Sequence, residues 1–288
     1  MNKAIAVFSG GLDCTVAASV YAKDYEIHAI TFNYGQKAFE QELKASQIIC
    51  EKMGFKHHII NLDWLSKIST SSLNTSEEIP DVDFEDLDDA EKSAESASSV
   101  WVPARNTVFT SIAAAYAESI GAEIIIVGWD KEEANTFPDN SKEFLKSFNE
   151  LFKVGSPIDI EIKAPAIDLD KDEIVNLGSD VNAPMELSYS CYKGTDIHCG
   201  VCESCMRRKR GFKKAGIKDP LSHSDLNFAA GGCSGPCIII SYLTGFSSSF
   251  PGGGRREDFS VIRKRIEEPV QRLCRADSAF RDLHFHAA

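Results

Sequence analysis

Two groups of residues have types and spacings that could do chemistry. The first is a set of thiols, Cys191, Cys199, Cys202 and Cys205, spaced C-x7-C-x2-C-x2-C. Two residues between cysteines let neighbouring sulfurs turn toward one ion, and four thiolates match the tetrahedral preference of structural zinc. An iron–sulfur cluster takes similar ligands. His198 adjoins Cys199 and reads as a neighbour of the site rather than a fifth ligand. The second group is Ser9-Gly10-Gly11-Leu12-Asp13-Cys14, led by an apolar run at 4–8 and followed by a helical apolar pattern. A strand, a glycine turn and a helix start bring free amides and a positive dipole end to one point, which attracts phosphate. Asp13 beside a phosphate is repulsive unless a cation such as Mg²⁺ sits between them. No Gly-Lys-Ser/Thr follows the loop, and a third glycine is absent, so it is neither common nucleotide fingerprint. A bare glycine pair can also be a steric turn with no ligand.

Other candidates stand singly. Arg105 follows Trp101-Val102-Pro103-Ala104, and Asn106 is placed to cap a helix over 107–120. Arg105 would then sit at a helix mouth suited to phosphate or carboxylate. Asp130 follows a continuous apolar run, 124–127, at the strand end where α/β sheets collect ligands. Arg207-Arg208-Lys209-Arg210 reads either as a solvated basic helix end or as a patch for an anionic partner. Cys14 and Cys50 read as packed thiols.

The elements that must position these residues alternate in kind. Strands are expected at 3–8, 26–34, 58–62, 123–128 and 158–162. Helices are expected at 13–23, 37–53, 107–120 and 141–152, from Leu169-Asp170-Lys171-Asp172-Glu173 to near 178, and from the basic run to Gly216. This is an α/β pattern: a parallel sheet with helices on both faces, plus a small C-terminal zinc-binding subdomain. The domain reading is a nucleotide-binding unit at 1–185, a zinc knuckle and helix at 186–220, and a tail at 221–288. Within 77–95, ten of nineteen residues are acidic, so 66–99 reads as a mobile insertion or a lid.

The net charge of −12 argues against a broad nucleic-acid surface. No stretch is long and apolar enough to span a bilayer, and no signal segment precedes the first strand, so the cytoplasm is expected. Nine cysteines in that reducing compartment suggest metal or catalysis before disulfides. The basic residues change character near 220: 19 lysines and 4 arginines before it, 1 and 7 after. The tail has a Gly-rich run at 252–254, and its Cys233 and Cys237 could bind metal but have no partner pair in the sequence; it is expected to be poorly ordered and of different origin or an extension.

The loop Ser9 to Asp13 resembles the pyrophosphate loop of the ATP pyrophosphatase superfamily, where the next position is usually serine; Cys14 stands there and is a weaker donor. With the cysteine knuckle come Thr31-Phe32-Asn33-Tyr34-Gly35-Gln36, Val102-Pro103-Ala104-Arg105-Asn106, Ser190-Cys191-Tyr192 and Ala215-Gly216-Ile217-Lys218-Asp219-Pro220. Together they resemble the 7-cyano-7-deazaguanine synthase family over about residues 1–220. The resemblance implies an adenine nucleotide alpha hydrolase-like fold. It implies that 7-carboxy-7-deazaguanine, ammonium and ATP give the nitrile, AMP and pyrophosphate, feeding queuosine or archaeosine. It implies that Phe8, Ser9, Gly10, Gly11, Leu12, Asp13, Cys14, Thr15, Val16, Ala17 and Ala18 hold ATP, with Asp13 near Mg²⁺. Arg105 and Asp130 are then the candidates for holding the acyl-adenylate and the heterocycle. One zinc per chain and a homodimer are implied too. The alternatives are a tRNA-thiolating enzyme of the same superfamily and a non-catalytic zinc-knuckle binding module.

Overall fold

The computed structural model describes residues 1–223, so expectations for the tail beyond them lie outside the described residues. In chain order the elements are β1 (Asn2–Val7), α1 (Leu12–Tyr21), β2 (Tyr25–Asn33), α2 (Phe39–Met53), β3 (Lys56–Asn61) and α3 (Asp63–Ile68). Then follow α4 (Ala90–Val100), α5 (Arg105–Ile120), β4 (Ile124–Ile126), α6 (Lys131–Ala134), α7 (Lys142–Gly155), β5 (Glu161–Lys163), α8 (Lys171–Asp180) and α9 (Glu203–Ala215).

The strands form one parallel sheet in the order β3-β2-β1-β4-β5. Period-two alternation divides its side chains between two faces. Ala4, Ala6, Ile27, Ala29, Ile124 and Ile126 pack with Ala17 and Ala18 of α1 and Ile49 of α2. Ile5, Ile30, Ile125 and Ile162 pack on the other face, with Phe109, Ala113 and Ala117 of α5 and Phe148 and Phe152 of α7. The order turns outward in both directions from the β1–β4 pair, so the loop after β1 lies at the switch point where open α/β sheets bind ligands.

Three local expectations are corrected. The helix after Pro103 starts at Arg105, not Thr107. Its cap position is Ala104, in the left-handed region at φ 51°, while buried Asn106 instead donates to the Asp139 carbonyl at 3.2 Å and to Asn140 Oδ1 at 3.0 Å. The stretch 66–99, expected as a mobile acidic loop, is packed. Leu73, Ile79, Leu87 and Ala97 are buried, and α4 carries most of its second half. Its backbone is tied down at Lys37 N to Leu73 O (2.8 Å), Ser72 N to Ser99 O (2.9 Å) and Val82 N to Val201 O (2.8 Å). Composition misleads here because widely spaced apolar residues suffice to anchor a segment whose acids face water. The basic run on α9 is neither a solvated end nor a patch. Arg207, Arg208 and Arg210 are buried and paired with Glu203, Asp219 and Glu132.

Candidate active site

β1 ends in the glycine loop, and Gly10 is there for steric reasons. Its φ is +74°, and a Cβ would stand 2.7 Å from Ser46 N and 2.9 Å from the Ala45 Cβ of α2. The loop is held from the other side by Tyr189 N, which donates to Gly10 O at 2.8 Å. Gly128, after β4, lets that strand end approach α1: a Cβ would meet Cys14 N at 2.6 Å. The first turn of α1 has no side-chain cap, so its amides are left for a ligand.

These ends surround a cavity of about 210 Å³. Phe8, Ser9, Gly11, Leu12, Asp13 and Cys14 line it, whereas Gly10 shapes the loop from behind. Thr15, Val16, Ala17 and Ala18 are buried along α1 and serve packing. Cys14 Sγ donates to Gly11 O at 3.4 Å, and burial pushes its thiol up. Arg105 lines the opposite wall. Its Nη1 donates to Tyr34 Oη at 3.3 Å; burial opposes its charge, but Tyr34, Asp139 and Tyr192 outweigh this.

Asp130 is not brought to the cavity. It is fully buried; Oδ1 accepts from Glu133 N at 2.9 Å, capping α6, and Oδ2 accepts from Lys171 Nζ at 2.8 Å. The same ammonium donates to Asp13 Oδ1 at 2.8 Å and stands 4.0 Å from Glu133 Oε1. Lys171 is thus the hinge-pin of the acidic group Asp13, Asp130 and Glu133, one carboxylate oxygen of each lying within 4.8 Å of the others. Burial raises Asp13 despite the lysine, and burial with Asp130 pushes Glu133 up to about 8. Burial opposes the Lys171 charge, but Asp13 and Asp130 hold it well above the usual lysine range. Glu133, rather than Asp130, faces the cavity.

Sequence reasoning missed Lys171, reading it only as a helix start. A signal existed: a lysine in the first turn of a helix opposes the dipole, which favours acids there. Its place is fixed by the Asp170–Glu173 capping box and by Lys171 N donating to Glu132 Oε1 at 3.0 Å. Glu132 in turn anchors Arg210 and Arg207 at 2.7 and 3.2 Å. Burial opposes the Glu132 charge, but the Lys171 amide and Arg210 hold its carboxyl down at about 2.

The four predicted thiols do meet. The sulfurs of Cys191, Cys199, Cys202 and Cys205 lie within 4.8 Å of one another, with Cys199 and Cys205 at 3.9 Å. A tetrahedron with arms of about 2.3 Å has edges of about 3.8 Å, so the set fits a metal ion. Cys199 N donates to Cys191 Sγ at 3.4 Å and Cys202 N to Cys199 Sγ at 3.3 Å, which favours thiolate. His198 Nε2 accepts from Ser190 N at 2.9 Å, beside the cluster. The knuckle also reaches the cavity, where Tyr189, Ser190, Tyr192 and Ser204 form part of the wall.

A parallel sheet with a glycine loop at its switch point, closed by a four-cysteine lobe, defines an α/β nucleotide-binding enzyme of the pyrophosphatase-loop type. The model of the queuosine biosynthesis protein QueC matches residues 3–216, and the chain belongs to that family. A 7-cyano-7-deazaguanine synthase of Methanobrevibacter smithii is 70% identical over 224 residues, 78% of this chain and 99% of the relative. The synthase of Methanosphaera stadtmanae is 66% identical, covering 75% and 96%, and that of Methanothermobacter thermautotrophicus 48% identical, covering 77% and 100%. A predicted tRNA methyltransferase subunit of Methanocaldococcus jannaschii shares 17% identity at a TM-score of 0.40 over 76% of this chain and 90% of its own.

Proposed function

We propose that this enzyme converts 7-carboxy-7-deazaguanine and ammonium to 7-cyano-7-deazaguanine, spending one ATP on the acid and one on the amide. The observation that carries the reading is that the phosphate-seeking loop, Arg105 and the cysteine lobe all face one cavity. A carboxylate oxygen is a poor leaving group. Attack of that oxygen on the α-phosphorus of ATP expels pyrophosphate and makes an acyl-adenylate. Ammonia then displaces AMP to form the amide. A second adenylation of the amide oxygen, followed by loss of AMP and protons, leaves the nitrile. One cradle serves both rounds. The loop amides of residues 9–14 would orient the phosphates, and Arg105 would hold the acyl-adenylate or the heterocycle. Asp130 would act at one remove, by setting Lys171 against Asp13. Mg²⁺, which neutralises phosphate charge when bound, would be held from Asp13. Zinc at the four cysteines would be structural, since four thiolates leave no open position.

The reading places the reaction in the cytoplasm, where such thiols stay reduced, and a homodimer rests on the family likeness alone. tRNA thiolation has less support: Cys14 is the thiol in the cavity wall, and burial raises it rather than activating it. The test is a turnover assay of the full chain with MgATP, ammonium and the acid, read by mass spectrometry beside a metal analysis. Nitrile formed with AMP, and one zinc per chain, is the expected result. A folded, metal-loaded protein that yields neither product overturns the proposal.

A further inference from the structure

The carboxylates of the cavity wall are not alike. Asp13 and Glu133 belong to the group around Lys171. Glu42, on the first turn of α2, does not. Its Oε2 accepts one hydrogen bond, from Gln36 Nε2 at 2.8 Å. Gln36 is fixed in that orientation, because its Nε2 also donates to Phe32 O at 3.0 Å while its Oε1 accepts from Tyr34 N at 3.0 Å. Among the described residues nothing else donates to the Glu42 carboxylate, and Arg105 acts on it only at longer range, beyond ion-pair distance. A cavity-facing carboxylate with a single neutral donor from the protein has accepting capacity left over for water or a ligand. Burial, the largest influence on this group, raises its carboxyl accordingly. The same wall carries flat apolar surface: the rings of Phe32 and Phe109 stack at 4.1 Å, and Tyr34 leans on Phe109 at 5.5 Å. Phe32, Tyr34, Phe109 and Glu42 all line the cavity.

We infer that Glu42 is a specificity residue that reads the guanine edge of the deazaguanine acid, accepting its ring N1–H and its 2-amino N–H. The inference rests on the function proposed above. Those two donors lie side by side, as do the two oxygens of a carboxylate. Adenine offers a lone pair at N1 beside its amino group, so the same carboxylate repels it there. Glu42 thereby assigns the two similar rings of the reaction to different places, the acid against α2 and the adenine of ATP elsewhere.

The test measures binding of the full chain to 7-carboxy-7-deazaguanine and to its analogue without the 2-amino group, by calorimetry, in the wild type and in Glu42→Gln. The wild type is expected to prefer the amino compound by roughly ten- to a hundred-fold. Glu42→Gln, which cannot accept at both atoms, is expected to lose most of that preference, to within about threefold, while its affinity for ATP stays within about twofold. Unchanged ATP binding also shows that the variant is folded. A wild type that binds and turns over the acid but is blind to the 2-amino group overturns this inference and leaves the proposed function standing. So does a Glu42→Gln variant that keeps the preference, or one that loses ATP instead. A folded wild type that neither binds nor converts the acid overturns both.

Discussion

Lys171 shows what residue types disclose and what they hide. Asp13 was legible as a site residue because its neighbours are glycines after a strand. Asp130 was legible as important from its place at a strand end, but its role was not: whether a side chain there faces the cavity depends on how the chain turns into α6, and Asp130 turns inward to cap that helix. Lys171 makes the pair intelligible, since it is 41 residues from Asp130 and 158 from Asp13, separations that no local pattern spans. Removing its ammonium leaves buried carboxylates without compensation, so Lys171→Met should cost about 3–5 kcal/mol and lower the melting temperature by about 10 °C. The sign of the pH dependence follows. Asp13 and Glu133 are already raised by burial and would rise further, so the folded variant binds protons more tightly than the unfolded chain. Its stability then falls as pH climbs through the unfolded carboxyl values toward the folded ones. The melting gap from wild type should be widest near pH 8 and narrow toward about pH 5. A gap that widens on acidification would contradict the pairing.

At the scale of elements, most of the fold was readable, because the central strands β1, β2 and β4 are short apolar runs with alternate residues committed to opposite cores. The failures share a cause: composition averaged over a segment hides which residues are anchors. In 66–99 the acids outnumber the apolar residues, yet Leu73, Ile79 and Leu87 are buried; in α9 three arginines look solvated but each meets a carboxylate, Arg207 and Arg210 that of Glu132 far upstream and Arg208 that of Asp219 beyond the helix end. The start of α5 was misplaced for a different reason. Asn106 is a good capping residue by type, but its side chain is used to tie α5 to Asn140, and the turn is made by Ala104 in a left-handed conformation. That conformation costs a non-glycine residue about 1–2 kcal/mol, while glycine there gives back about 0.5–1 kcal/mol through unfolded-state entropy. Ala104 is exposed, so Ala104→Gly removes little packing. The variant should gain up to about 1 kcal/mol, a rise of roughly 2–4 °C in melting temperature, with turnover unchanged. A lower melting temperature would show that the Ala104 methyl matters to the wall that carries Arg105.

For the whole molecule, the question is how much chain the site requires. The family model ends at 216, yet the residues just beyond it close the cysteine lobe. Arg208, 1% exposed in its side chain, is held by Asp219 at 2.9 Å, and it also donates to Ser188 Oγ at 2.8 Å beneath the cavity wall. His223 bridges to His198 beside the four-cysteine cluster and stands 3.9 Å from Asp219. Beyond it lies the arginine-rich composition seen in sequence, and the 224 residues aligned with the Methanobrevibacter smithii synthase already span 99% of that relative. A chain ending after His223 should therefore match the full chain in metal content, melting temperature and turnover, the last within about twofold. A chain ending after Gly216 should not, because the Arg208 guanidinium would be left buried beside the site without its carboxylate, a loss of about 3–5 kcal/mol. Asp219→Asn in the full chain isolates that term: it should reproduce much of the destabilisation with every tail residue present. If instead ending the chain at 223 destroys activity while Asp219→Asn is harmless, the tail supplies something the cysteine lobe cannot, and the boundary of the enzyme moves past 223.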